Sequence, residues 1–155
     1  MNDSMRNPNF ELLRDAFEII DGIPSRALKL SNWRTKGEMP ECGTIACAAG
    51  WLAMHPKFNA LGFTADEHTG APWFKGHSCF YAAQLLLGLD GESDRIFSSR
   101  HHGYKDHELG QSIRKLSEKQ LWKRRVLRLF QDYNQPFDPK VGKGLMLDVR
   151  AGAAA

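Results

Sequence analysis

Apolar residues recur at three- and four-residue steps near the start of the chain, where Phe10, Leu13, Phe17 and Ile20 form one stripe. That spacing predicts an amphipathic helix. Asn7-Pro8 opens it, since Asn caps and Pro is tolerated at the first helical position. Gly22 and Pro24 stop it. Arg26 to Pro40 reads as a loop with a short apolar interruption at Leu28, Leu30 and Trp33, the Trp acting as an anchor into the core. Thr44 then caps a small-residue helix that runs to about Met54 and ends at His55-Pro56, because the residue before a proline avoids the helical region.

Residues 63 to 77 are rich in Gly, Pro, Thr and His and read as irregular, with Phe63, Trp73 and Phe74 suited to one short β-hairpin. Ser78 caps a helix from Cys79 to Leu87 that Gly88 closes, with Phe80, Ala83, Leu86 and Leu87 on its core side. A short helix from Glu92 to Phe97 follows. The polar stretch from Ser98 to Gly110 reads as the most mobile loop. Ser117-Glu118-Lys119-Gln120 is a capping box for a last long helix reaching about Asn134, with Leu121, Trp122, Val126, Leu129, Phe130 and Tyr133 as its apolar face. The expected fold class is all-α or mostly α: a compact single-domain bundle of five or six helices over residues 1–139. Residues 140–155, with their small-residue end, read as a loose tail.

Length and composition agree with this. A chain of 155 residues is the size of one domain and needs neither disulfides nor metal merely to fold. No apolar run approaches the roughly 20 residues of a membrane span, and Met1 to Arg6 leads into an amphipathic segment without the apolar core of a signal peptide. The expectation is a cytoplasmic protein with no membrane partner. Three cysteines fit a reduced compartment better than a disulfide framework.

The formal net charge of +3 is modest, but its distribution is skewed. Between Ile113 and Arg128, Arg114, Lys115, Lys119, Lys123, Arg124, Arg125 and Arg128 face the single acid Glu118. Positive potential is thereby concentrated on one element. With His101 and His102 in the preceding loop, these residues form a candidate binding surface for an acidic protein partner, or for the phosphates of a nucleic acid. A solvated helix face is the alternative.

Candidate chemistry sits in Cys42-Gly43-Thr44-Ile45-Ala46-Cys47-Ala48-Ala49-Gly50-Trp51. If the helix begins at Thr44, Cys42 precedes it and Cys47 lies in its first turn, where the helix dipole favours a thiolate. With His77 as a base, Cys42 or Cys47 would serve a cysteine hydrolase or transferase, although no third member or oxyanion loop stands out. Zinc is the second reading, with Cys42 and Cys47 as one pair and His77 with Cys79, or His68 with His77, as the other. In the third, Cys42, Cys47 and Cys79 are small buried reduced side chains and the protein needs no cofactor. His101, His102 and His107 show no familiar ligand spacing, which favours a polar loop. Trp73-Phe74, beside Pro72 and Gly76, is the aromatic pair placed for exposure.

The motif Cys42-Gly43-Thr44, Cys47, Gly50 and Trp51, preceded by Trp33, resembles that of a group of short uncharacterised proteins of bacteria and their phages. Ala83, Leu86, Leu87, Gly88 and Leu89, then Ile96 and Phe97, extend the likeness over roughly residues 26 to 98. The resemblance implies a bacterial or phage accessory setting and no particular activity. With no complete catalytic set, the expected function is a non-enzymatic module that binds a host protein through its basic helix.

Overall fold

The computed structural model describes residues 8–31, 46–89 and 93–137. Along the chain run α1 (Phe10–Asp21), a 3-10 turn (Ser25–Ala27), α2 (Ala48–Met54), α3 (Pro56–Asn59), β1 (Thr64–Ala65), β2 (Pro72–Phe74) and β3 (His77–Ser78). They are followed by α4 (Cys79–Leu87), α5 (Ser93–Phe97), α6 (Asp106–Leu109), a second 3-10 turn (Ile113–Lys115) and α7 (Glu118–Asp132). The fold is mostly α, with one small three-stranded antiparallel sheet in the order β1-β2-β3 among the described residues. Trp33, Cys42, Gly43, Thr44 and the tail from 140 lie outside them.

The apolar stripes bury as their periodicity requires. Leu13, Phe17 and Ile20 of α1 meet Leu121, Val126, Leu129 and Phe130 of α7 in one core. Phe10 stands edge-on to Phe130 at 4.8 Å, and Phe17 edge-on to Phe137 at the same distance. The first turn of α1 is capped by Asn9, whose Oδ1 accepts from the Leu12 N–H at 3.1 Å, so the cap falls two residues later than Asn7. The predicted Ser117 capping box is present: its hydroxyl accepts from the Gln120 N–H, and the Gln120 side chain accepts from the Ser117 N–H.

Helix α4 lies across β2 and packs on α1 and α5. Its bounds match the predicted ones, and Gly88 closes it at φ +68°, a left-handed conformation glycine adopts without steric cost. Its face is rotated from the predicted one. Ala82, Ala83 and Leu87 are buried, whereas Leu86 and Phe80 are only partly so. Small residues face inward because the sheet backbone approaches closely there.

The expected single hairpin is a three-stranded sheet. Thr64 pairs with Trp73 and Ala65 with Pro72, then Trp73 with Ser78 and Phe74 with His77. Lys75 and Gly76 turn the chain between β2 and β3 with φ of +48° and +82°. Positive φ at both central residues is the turn whose twist matches a hairpin.

The 98–110 stretch is also not the loose loop expected. It contains α6, buries Tyr104, and is fastened to α7 at several points.

Candidate functional site

Helix α2 begins at Ala48, and its N-cap is Cys47 rather than Thr44. The Cys47 Sγ accepts from the Gly50 N–H at 3.3 Å and is buried. Removal from water outweighs the helix-end hydrogen bonds, which pull the other way, and pushes the thiol up to about 12. A group in that state is a thiol at neutral pH, so the expected first-turn thiolate at Cys47 is corrected: the sulfur is a helix cap. The pressure of small residues around it is real, since Ala46, Ala48, Ala49 and Gly50 are all buried.

His77 and Cys79, its proposed partners, are on the outside. His77 is exposed on β3, its ring edge-on to Tyr81 at 4.7 Å. Cys79 is exposed at the first position of α4 with φ +61°, which corrects the expectation that it is buried. No hydrogen bond joins either to Cys47. Among the described residues no group of three or more His, Cys, Asp or Glu side chains is placed to hold a metal ion. Cys42 lies outside the described residues.

The basic run is divided by the fold into three sets. Arg125 is fully buried, which removes it from any surface. Its guanidinium donates to the carbonyls of Ile96 at 3.2 Å, Ser98 at 2.6 Å and Ser99 at 2.9 Å. Burial lowers its pKa to about 10, partly offset by Glu118, so it stays charged at neutral pH. Lys119, Lys123 and Arg128 are half-buried and engaged. Lys119 donates to the Asp21 carbonyl at 2.7 Å, Lys123 pairs with the Asp21 carboxylate, and Arg128 pairs with Asp132 at 2.7 Å and donates to the Glu108 carbonyl. Arg114, Lys115 and Arg124 form the third set. They are exposed and make no ion pair with other described residues.

His101 and His102 are exposed, the His102 Nδ1 lying 2.8 Å from the Ser99 hydroxyl.

Asp21 and Glu118 carry the arrangement and were not singled out from sequence. Asp21 closes α1, where an acid opposes the helix dipole and calls for a cation from elsewhere. Lys119 and Lys123, one turn apart on α7, supply it. Glu118 accepts from the Leu30 N–H at 2.6 Å, binding the 27–30 segment to the start of α7. That segment also pairs with Ala46 and takes the Trp51 indole N–H on the Ala27 carbonyl at 2.9 Å.

Large exposed apolar side chains lie outside the basic run. Leu61, Trp73 and Tyr81 are 48%, 46% and 48% exposed. The expectation for the Trp73-Phe74 pair holds for Trp73 and fails for Phe74, which the strand alternation turns into the core. Thr64, Trp73 and Ser78 make one exposed row across the sheet. No helix among the described residues is long and apolar enough to cross a membrane. No family model matches the chain, and neither the curated proteins nor the solved structures contain a significant match to it.

Proposed function

We propose that this chain is a non-catalytic, compact helical module that acts by binding a protein partner. The observation that carries this reading is the exposure of two large aromatic rings, Trp73 on β2 and Tyr81 near the start of α4, where it stands edge-on to His77 of β3. Trp and Tyr are the residue types that dominate binding hot spots, and water-exposed apolar area of this kind is stabilised by a partner. Among the described residues, Cys47 caps a helix and Arg125 ties down a loop, roles that are structural. The resemblance of the cysteine motif to short bacterial and phage proteins supports a cytoplasmic accessory role, binding a host protein if phage-encoded. Contact through the basic helix, as read from sequence, narrows to its exposed cations.

The test is affinity capture from bacterial lysate by the full chain, beside a Trp73→Ala/Tyr81→Ala variant confirmed folded by its melting curve. A specific protein retained by the wild type should fall by about tenfold or more in the variant, the loss expected when hot-spot aromatics are truncated. Identical capture profiles for the two would overturn the reading.

A further inference from the structure

The exposed cations are not scattered. Arg100 donates to the Ile113 carbonyl at 2.6 Å, and the Asp106 carboxylate accepts from the Ile113 N–H at 3.1 Å, so the 98–106 stretch and the turn bearing Arg114 and Lys115 are bound side by side. Arg125 clamps Ser98 and Ser99 to α7 at the residue next to Arg124. Lys105 is exposed in the same stretch. The carboxylates nearby are already committed: Glu108 accepts from the Lys105 N–H and from Arg95, each at 2.8 Å, and Glu118 accepts from Leu30. Those bonds lower the Glu108 pKa from its ordinary value, the Lys105 N–H first.

We infer that Arg114, Lys115, Arg124 and Lys105 form a docking surface for an acidic protein segment, distinct from the Trp73 face. Charge complementarity selects the occupant. The rings on this side, Trp122 and Tyr104, are buried and offer no platform for stacked bases. The inference rests on the module reading for its biological sense, but its test does not.

The full chain, labelled with nitrogen-15, is titrated with an Asp/Glu-rich peptide of about a dozen residues at low salt, where exposed charges are least screened. Amide shifts are expected at residues 99–105, 113–115 and around 124. The Arg114→Glu/Lys115→Glu/Arg124→Glu variant should bind about tenfold or more weakly, while Trp73→Ala should bind as wild type does. Those three side chains hold no described partner, so the variant should fold; its melting curve checks this. Shifts centred on residues 61–81, no saturable binding, or tighter binding of a duplex DNA of equal charge would each overturn the inference. Loss of peptide binding with lysate capture intact sinks this surface alone. Capture indifferent to Trp73 and Tyr81 sinks the module reading alone.

Discussion

The Arg125 guanidinium lies so close beneath Gly103 that a Cβ built on the glycine would stand 2.5 Å from it. The long side chain of α7 reaches the 98–103 stretch from inside, and only a residue without a side chain can pass over it. The loop is thereby held by a buried charge whose bonds run to backbone carbonyls.

Gly103→Ala should destabilise the fold by about 1–3 kcal/mol, the usual cost of forcing an added carbon into a packed site. Neither neighbour yields cheaply, since the guanidinium is anchored by three carbonyls. Denaturant unfolding measures the loss, and a change below the error of the method would show that the loop can move away.

Adjacent arginines should behave oppositely. Arg125→Met leaves the carbonyls of Ile96, Ser98 and Ser99 without their donor, at about 3 kcal/mol or more, because each buried unsatisfied group costs about 1–3 kcal/mol. Arg124→Met, at an exposed site, should stay within about 0.5 kcal/mol. Equal effects from the two would contradict the burial pattern.

The thiols should separate by kinetics. Cys79 is exposed and should be alkylated rapidly in the native protein near pH 8. Cys47 should react only on unfolding, being buried with its thiol pushed up to about 12. Peptide mapping by mass spectrometry after a timed pulse resolves the sites. Fast native labelling of Cys47 at neutral pH would restore the nucleophile reading.

Asp21→Ala should cost about 1–3 kcal/mol by stranding Lys119 and Lys123, whose ammonium groups it receives. Lys123→Ala, which leaves Lys119 beside the carboxylate, should cost less. A double variant whose loss equals the sum of the singles would show that the pair does not couple.

His55 makes one part of stability pH-dependent. Its Nδ1 accepts from the Lys57 N–H at 3.1 Å, capping α3, and burial, then the Lys57 charge, holds its pKa below 6.5. The folded state therefore binds a proton less readily than the unfolded chain. The contribution is fully present above about pH 6.5 and is lost as pH falls through the depressed folded value. His55→Asn keeps a capping acceptor without the titration, so the difference in stability between wild type and variant should shift against the wild type between about pH 6.5 and 5. A difference that is flat over that window would sink the assignment.

Local chemistry made much of the secondary structure legible. The α1 stripe, the Cys79–Leu87 helix with Gly88 behind it, and the Ser117 capping box each depend on residues within a few positions of one another and formed as read, although Asn9 and not Asn7 caps α1 and the Ser78 side chain makes no cap hydrogen bond. The site was less legible. Arg125 stands four residues from both Leu121 and Leu129, so helical spacing puts it on the apolar face and Arg124 off it, a signal that is passed over when the cations are read as one surface. Cys47 reads from sequence as a buried small residue, with nucleophile and ligand as alternatives, and only the start of α2 at Ala48 makes it a cap. The phase of α4 likewise depended on how closely β2 approached, which brought Ala82 inward and left Leu86 half-exposed.

The chain by itself determined the course of α1, α4 and α7, because apolar spacing and turn residues act over a turn or two. Which acid receives Lys119 and Lys123, which carbonyls take Arg125 and which sulfur is shut away were decided only by tertiary structure, because burial and charge pairing depend on segments as far apart as Asp21 and Lys123.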